Sequence, residues 1–248
     1  MALDAAAAAD QGWRPTMEDR HVLRVTEDEV VGAVFDGHSG SAVAELAAVR
    51  FEALLQRGTV GGALRAIDRE ARLLPGGACA VAFRLRGERL EVANLGDAEL
   101  AVVDGAVNVR VLTELHRLDN PAERARVLAA GALIEGPYVV DPVTRNGLMP
   151  TRTLGDADFE RVGVLGEPFE RMATFRQGWL VAACDGLWDV LAPDELPALL
   201  ADARSAREAV DALAREALHG RGSTDNVTVV VVRRTQGGHS NGGDVRGD

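Results

Sequence analysis

Four aspartates in this chain lie beside apolar segments whose length is typical of β-strands. They are Asp36 in VVGAVFDGH (30–38), Asp97 in VANLGD (92–97), Asp185 in VAACDG (181–186) and Asp225 in STDNVTVVVV (223–232). Each one alone could be an ordinary turn or helix cap, because Asp and Gly are common in turns. Carboxylates that meet at one sheet edge, however, repel each other by about 4 kcal/mol per close pair near a protein surface. A positive group is therefore expected among them.

That positive group could be an arginine, but a divalent cation suits the available ligands better. Mg²⁺ and Mn²⁺ prefer oxygens from carboxylates, backbone carbonyls and water, and the carbonyl of Gly37 adds to the carboxylates. Two such ions about 3.5–4 Å apart can activate a shared water for in-line attack at phosphorus. A zinc site is not expected, since no Cys/His cluster has the required spacing.

Two further residues could take part in phosphate chemistry. His38, two residues after Asp36, could protonate a leaving oxygen, and Arg14 could bind phosphate oxygens in bidentate fashion. The ordinary alternatives are a locally bonded histidine at a helix start and a surface arginine. Spacing along the chain does not decide between these roles.

Composition excludes several other functions. The formal net charge is −11, which gives little electrostatic support for nucleic-acid binding. All 27 basic side chains are arginines, so Schiff-base and Walker-type lysine mechanisms are excluded. No apolar run is long enough to span a membrane, and the start MALDAAAAAD lacks the basic region of a secretory signal, so we expect a cytoplasmic protein. The two cysteines, Cys79 and Cys184, are expected to be reduced core residues.

The elements that position these residues fall into separate blocks of strands and helices. Strands are predicted at residues 30–35, 79–85, 89–95, 99–103, 107–112, 179–184 and 226–234. Tight turns at Arg86-Gly87 and Asp104-Gly105 make neighbouring strands antiparallel, and Asp-Gly favours a type I′ turn. Helices are predicted at residues 41–56, 61–74, 120–131 and 193–218.

This arrangement predicts an α+β fold in which antiparallel sheets are covered by helices. No repeat or linker divides the chain, so residues 1–235 are predicted to form a single domain. The tail at 236–248 has few residues to bury and is predicted to be disordered. No coiled-coil seam suggests an obligate assembly, and a monomer is expected.

Six ordered motifs resemble the metal-dependent protein phosphatases, the type 2C serine/threonine or PPM family, including its bacterial members. They are RPTMED (14–19), VFDGHSG (34–40), NLGDAEL (94–100), LMPTRTLGD (148–156), ACDGLWDVL (183–191) and STDNVTVVVV (223–232). The resemblance implies an α-β-β-α sandwich of two antiparallel sheets flanked by helices, with two Mn²⁺ or Mg²⁺ ions in a cleft at one edge. It also implies hydrolysis of phosphoserine and phosphothreonine in proteins, opposing a serine/threonine kinase.

The resemblance also implies a role for individual residues. Asp36 would bridge both ions, the Gly37 carbonyl would bind one ion, and Asp185 with Asp225 would bind the other. Arg14 would bind phosphate and His38 would act as general acid. Glu18 and Asp19 would hold ion-bound waters or orient neighbours. Asp97 and Asp189, with Asp185, would form a third, weaker ion site.

Departures from the family pattern keep an alternative open. Ala98 and Glu99 stand where the family usually has Ser-Arg, which removes a cation near the third site. Ala78 and Cys79 replace a usual Ser/Thr pair. The alternative is therefore a catalytically weak module of the same fold that binds a partner. A different two-metal phosphoesterase is disfavoured, because GNH-type and DxDxT patterns are lacking.

Overall fold

A computed structural model describes residues 2–105 and 107–235 of the 248-residue chain. The tail predicted to be disordered, residues 236–248, lies outside the described residues. Within the two described ranges, no helix combines the length and the apolar character needed to cross a bilayer.

The strands and helices are numbered in chain order. The strands are β1 (Ala2–Asp10), β2 (Arg20–Val25), β3 (Glu29–His38), β4 (Gly77–Arg86), β5 (Arg89–Leu95), β6 (Glu99–Asp104), β7 (Asn108–Val111), β8 (Leu133–Glu135), β9 (Tyr138–Val140), β10 (Gly147–Leu148), β11 (Leu154–Gly155), β12 (Phe169–Thr174), β13 (Gly178–Ala183) and β14 (Val227–Thr235). The α-helices are α1 (Ala42–Leu55), α2 (Val60–Ala71), α3 (Pro121–Ala129), α4 (Asp185–Trp188), α5 (Leu196–Leu199) and α6 (Ala206–Arg215). Short 3₁₀ turns lie at Ala157–Val162 and Pro193–Glu195, and a π turn at Glu216–Gly220.

Two antiparallel sheets pack face to face. One has the spatial order β1-β14-β13-β6-β7, and the other has the order β12-β5-β4-β3-β2 with β11 beside β4. Phe83 and Val81 of the second sheet meet Leu180 and Val230 of the first in a buried layer between them. Both sheets therefore bury their inner faces against each other.

Helices cover the outer face of each sheet. Phe51 of α1 and Ile67 of α2 are fully buried against the β2–β5 side, where Phe35 meets Phe51 edge to face at 5.8 Å between ring centroids. Leu213 of α6 is buried against the β13–β14 side, in contact with the layer that contains Val229. Each such buried side chain contributes about 1.5–3 kcal/mol. The order helix, sheet, sheet, helix confirms the predicted α-β-β-α sandwich.

The alanine-rich start of the chain forms an edge strand that the sequence analysis does not predict. Alanine has the highest helix propensity, yet β1 pairs with β14 along its whole length, from Ala2 with Thr235 to Asp10 with Val227. Asp4 of this strand also accepts a 2.6 Å hydrogen bond from the backbone N–H of Ala206, the first residue of α6. Pairing with a buried valine-rich strand and contact with a helix end outweigh local propensity here.

The helix predicted over 193–218 is wrong as a single helix. The segment begins with a 3₁₀ turn, continues as the one-turn α5 and restarts as α6. Ser205 starts α6 because its side chain accepts from the N–H of Glu208 at 3.1 Å, and the Glu208 carboxylate accepts from the N–H of Arg204 at 2.7 Å. These local bonds offer the backbone an alternative to continuous helix.

Both hairpins form, but the turn at Asp104-Gly105 is not the expected type I′. In the β4–β5 hairpin, Arg86 pairs with Arg89, and only Gly87 of the two central residues has a positive φ, of 54°. In the β6–β7 hairpin, Asp104 pairs with Asn108, so a three-residue loop joins the strands. The antiparallel pairing of both hairpins is as predicted, while the geometry of the Asp104-Gly105 turn differs.

The connection between α3 and the later motifs forms a small sheet. Its strands are β8, β9 and β10, in the spatial order β10-β9-β8. Tyr138 of β9 and Leu148 of β10 line the cleft described below. This connection thus forms one wall of the cleft.

Candidate active site

A cleft of about 400 Å³ lies where ends of the two large sheets meet. It is lined by acidic side chains, one arginine, one histidine, a thiol and the small sheet. The predicted site residues among its lining are Arg14, Glu18, Asp36, Gly37, His38, Asp97, Asp185 and Asp225. The structure therefore brings these eight predicted residues to one place.

Asp36 reaches the cleft because β3 continues past its apolar part. The strand ends at His38, and Asp36 pairs with Cys79 of β4. Side chains alternate along a strand, so Asp36 and His38 share one face while Gly37 lies between them. This alternation explains how a buried strand delivers a carboxylate and an imidazole to the same spot.

Three carboxylates converge at the base of the cleft. Oxygens of Asp36, Asp97 and Asp185 all lie within 4.8 Å of one another. Burial, and then the charges of Asp185, Asp19 and Asp97, raise the pKa of Asp36 well above its ordinary value. Burial and the neighbouring aspartates likewise raise the pKa of Asp185 to about 7. Without a bound cation, Asp36 and Asp185 therefore favour the protonated form more than an ordinary aspartate does.

The cluster fits divalent cations. Hard cations take carboxylate oxygens at short range and remove the repulsion between them. Behind Asp36, the buried Oδ2 of Asp19 has no hydrogen-bond partner among the residues that the structure describes, although Asp19 is only 3% exposed. A buried carboxylate oxygen without a partner is costly, and an ion or its bound water would satisfy it.

Asp225 and Arg14 form the outer part of the site. Nη2 of Arg14 donates to Oδ2 of Asp225 at 2.5 Å, and the Arg14 side chain is 54% exposed. Arg14 therefore has guanidinium N–H groups left at the mouth of the cleft. Ser223 holds this region against α4, because its hydroxyl donates to the carbonyl of Gly186 at 2.7 Å.

Asn226 positions the loop that carries Arg14 and Glu18, a role that the sequence analysis misses. Its side-chain amide donates to the carbonyls of Gln11 at 2.8 Å and Thr16 at 3.0 Å. Its side-chain oxygen accepts from the N–H of Glu18 at 2.9 Å. Asn226 is 5% exposed, so these bonds are shielded from water. The available signal is its place directly after Asp225.

His38 forms a half-buried pair with Asp156, which is not among the predicted site residues. Nε2 of His38 lies 2.7 Å from Oδ2 of Asp156, whose side chain is 6% exposed. A Cβ on Gly77, the residue opposite His38 on β4, would lie 1.9 Å from that Asp156 oxygen. Glycine at position 77 thus leaves room for the pair. Burial lowers the pKa of His38, but the hydrogen bond and charge of Asp156 outweigh it and raise the pKa overall.

Two predicted residues lie outside the lining of the cleft. Asp19 is buried behind Asp36, and Asp189 follows α4 with its carboxylate on Arg117 at 2.9 Å. Arg117 also contacts Asp97 and Asp185. Arg117 is not among the predicted site residues, and it lies 20 residues from Asp97 in the chain. Its only local signal is its place in ELHRLDN.

The cysteines match the expectation of reduced core residues. Cys79 and Cys184 are both buried and free. Burial raises the pKa of both thiols well above the ordinary value. Cys79 nevertheless lies at the edge of the cleft, next to Asp36 and Asp97.

Comparison with known proteins identifies the family. A family model described as "Protein phosphatase 2C" matches residues 3–227, which is most of the chain. The chain belongs to the protein phosphatase 2C family. Protein phosphatase 2C homolog 1 of Saccharomyces cerevisiae is 31% identical over 258 residues, covering 89% of this chain and 89% of the yeast protein. Human protein phosphatase 1F is 32% identical over 275 residues, covering 92% of this chain and 58% of the human protein.

Solved structures share the fold of this protein phosphatase 2C family member. The serine-threonine phosphatase 2C from Toxoplasma gondii superposes with a TM-score of 0.77 at 22% identity, covering 94% of this chain and 95% of that one. Serine/threonine phosphatase Stp1 from Staphylococcus aureus gives a TM-score of 0.72 at 17% identity, with coverages of 95% and 96%. At this identity the likeness concerns the fold alone, and it agrees with the sandwich described above.

Proposed function

We propose that this protein hydrolyses phosphoserine and phosphothreonine monoesters in proteins, with two divalent cations bound in the cleft. The observation that carries the proposal is the meeting of the Asp36, Asp97 and Asp185 oxygens within 4.8 Å, in a cleft that also holds Arg14 and His38. Membership of the protein phosphatase 2C family supports the same activity. Asp36, Asp185, Asp225 and the Gly37 carbonyl would hold the ions.

The bound cations would act as Lewis acids that lower the pKa of a water and neutralise phosphate charge. The chain itself supplies binding and proton transfer. Arg14, tied to Asp225 by one nitrogen, keeps other N–H groups free to donate to two phosphate oxygens. Attack of water on phosphorus breaks the bond to the seryl or threonyl oxygen, which must gain a proton as inorganic phosphate forms.

His38 is placed to give that proton. Its Nε2–H donates to Asp156, which fixes the ring and favours the protonated form, so Nδ1–H is the group left to donate to the departing oxygen. Asp156 lies on the far side of the ring from that transfer and orients it. The carboxylate of Asp156 thus plays a positioning part rather than a chemical one.

The proposal is tested with a phosphoserine peptide and the purified protein after removal of metal by a chelator. We expect release of inorganic phosphate on adding Mn²⁺ or Mg²⁺ and none in the chelator. Binding of Mn²⁺ without turnover, from protein whose circular dichroism shows the native fold, would favour the catalytically weak binding module instead. Turnover of small phosphate esters alone would indicate a different phosphoesterase.

Replacing His38 by Gln should slow the two kinds of substrate unequally. We expect the phosphoserine peptide to lose about 10²–10³-fold in kcat, within the range for general acid catalysis. p-Nitrophenyl phosphate should lose far less, because nitrophenolate leaves without needing a proton. His219→Gln, at an exposed position away from the cleft lining, is the matched control. Equal losses on both substrates would argue against His38 as the acid.

We also propose several properties that rest on composition and family. The ions in the cell are Mn²⁺ or Mg²⁺, in keeping with an all-oxygen ligand set. The partners are phosphorylated proteins made by a serine/threonine kinase, and not nucleic acids or a membrane, in line with the net charge of −11. Residues 1–235 form one domain of a cytoplasmic monomer. Size-exclusion chromatography with light scattering tests the oligomeric state.

A further inference from the structure

Arg117 is held next to the turn that carries Asp97. The preceding residue, His116, is fully buried and bonds the Gly96 carbonyl through its backbone N–H at 3.0 Å. The His116 carbonyl accepts from the N–H of Thr151 at 2.7 Å. Two backbone hydrogen bonds therefore fix the loop between β7 and α3 at the residue directly before Arg117.

The guanidinium of Arg117 lies among three carboxylates. Its Nε donates to Asp97 Oδ2 at 2.7 Å, and its Nη2 lies 2.9 Å from Asp189 Oδ1 and 3.5 Å from Asp185 Oδ2. The Arg117 side chain is 23% exposed and that of Asp97 is 4% exposed. These acids come from two separate places, the β5–β6 turn and the two ends of α4, so a single arginine joins them.

The same three acids are the ones that family resemblance assigns to a third, weaker ion. An ion held by Asp97 and Asp189 would sit about 2 Å from their oxygens, in contact with guanidinium nitrogens that already bind those oxygens. Two positive groups cannot share that position without strong repulsion. The residues present thus do not fit a third ion at Asp97 and Asp189, where a 23% exposed arginine already binds both acids. The other two ions are the ones that the family resemblance assigns to Asp36, Gly37, Asp185 and Asp225.

We propose that Arg117 is a built-in cation in the place of the third ion, so that the protein binds two exchangeable ions and not three. The inference rests on the proposed function, since it concerns the same cleft. The inference also bears on the departure from the family pattern at Ala98 and Glu99. The family's arginine after Gly-Asp is missing there, and Arg117 brings a positive charge to Asp97 from another loop.

The test counts the ions bound at saturating Mn²⁺, by equilibrium dialysis and elemental analysis of the full chain. We expect two ions per wild-type chain. Arg117→Met keeps much of the side-chain length without the charge, and it should bind three. Arg117→Lys should restore two, because the ammonium supplies the charge again. Arg176→Met, which removes an exposed arginine paired with Glu88, is the matched control and should bind two.

A second variant keeps the test decisive if Arg117→Met fails to fold. Asp189 is 52% exposed, and replacing it by Asn should leave two ions and an unchanged Mn²⁺ affinity. Three ions on the wild type, falling to two in Asp189→Asn, would overturn the inference and leave the proposed function standing. A folded Arg117→Met variant that still binds two ions would likewise overturn the inference and leave the proposed function standing. Fewer than two ions on the folded wild type, without turnover, would overturn the proposed function as well.

Discussion

Replacing Asp36 by Asn should abolish cation-dependent hydrolysis of the phosphoserine peptide while leaving the fold intact. We expect kcat to fall by at least about 10³-fold, because Asp36 is the proposed shared ligand and ion-based charge stabilisation is worth several kcal/mol. Steady-state rates at saturating Mn²⁺ measure the loss. Asp202→Asn, at an exposed position, is the matched control. A rate near that of the wild type would contradict the assignment of Asp36.

The same variant should be more stable than the wild type when no cation is present. Asp36 is surrounded by the carboxylates of Asp19, Asp97 and Asp185, and they disfavour its charge. Burial and these charges force Asp36 either to take up a proton or to bear the repulsion, and Asn at this position needs neither. We therefore expect a higher Tm in a chelator, together with a smaller rise in Tm on adding Mn²⁺. A fall in kcat together with a rise in Tm distinguishes loss of an ion ligand from misfolding, which would lower both.

The second large effect is expected at Glu123, in α3. Its buried carboxylate accepts from the Thr151 hydroxyl at 2.6 Å and from Arg152 Nη2 at 2.7 Å, and it also binds Arg126. Glu123 is 2% exposed. Glu123→Ala leaves two arginines without their shared partner, and it should cost about 3–5 kcal/mol of unfolding free energy. Urea denaturation measures this cost, and Glu123→Gln, which keeps the shape and loses the charge, is the control.

Acid should reveal the same interaction. Burial raises the pKa of Glu123, but the bonds from Arg152, Thr151 and Arg126 outweigh it and lower the pKa from 4.5 to about 2. A carboxyl with a lowered pKa stabilises the fold above pH 4.5 and loses that contribution as the pH falls towards 2. The stability gap between wild type and Glu123→Gln should therefore shrink from pH 5 to pH 3. A constant gap would contradict this account.

This network matters for the site as well as for stability. Thr151 and Arg152 directly follow Met149 and Pro150, which line the cleft, and the carbonyl of Thr151 accepts from Arg126 at 3.0 Å. The Glu123 cluster thus fixes one wall of the cleft to α3. Loss of Glu123 is expected to loosen that wall before it unfolds the sheets, because the large sheets do not depend on these contacts.

Part of the fold and site could be predicted because it depends on short stretches of sequence. The valine-rich segments around Val81 and Val230 have the pattern of buried strands, and each strand pairs antiparallel with a neighbour. The aspartates at their ends follow from the same stretches. Once strands such as β3 and β13 end at one edge, Asp36 and Asp185 must meet there. The local pattern predicts which acids stand at strand ends, and the family resemblance predicts that these ends meet.

The wrong predictions have two causes, a long-range strand pairing and local bonds that a periodic pattern does not reveal. The alanines of β1 prefer a helix in isolation, and only pairing with β14 makes them a strand. Ser205 interrupts the segment predicted as one helix by accepting a hydrogen bond from the N–H of Glu208, and the turn at Asp104-Gly105 is not the expected type I′. The pairing of β1 depends on how distant parts of the chain pack, whereas the other two cases depend on hydrogen bonds and backbone geometry within a few residues.

By itself, the sequence determined the sandwich, the family and the acids at the base of the cleft. Only the tertiary structure decided which side chains bind and orient the residues of the site. Asp156 reaches His38 across 118 residues, and Arg117 reaches Asp185 across 68 residues. Long side chains on loops can point to many partners, and no spacing rule selects one of them. The partners are chosen by the packing of strands and helices that brings distant loops to the same edge.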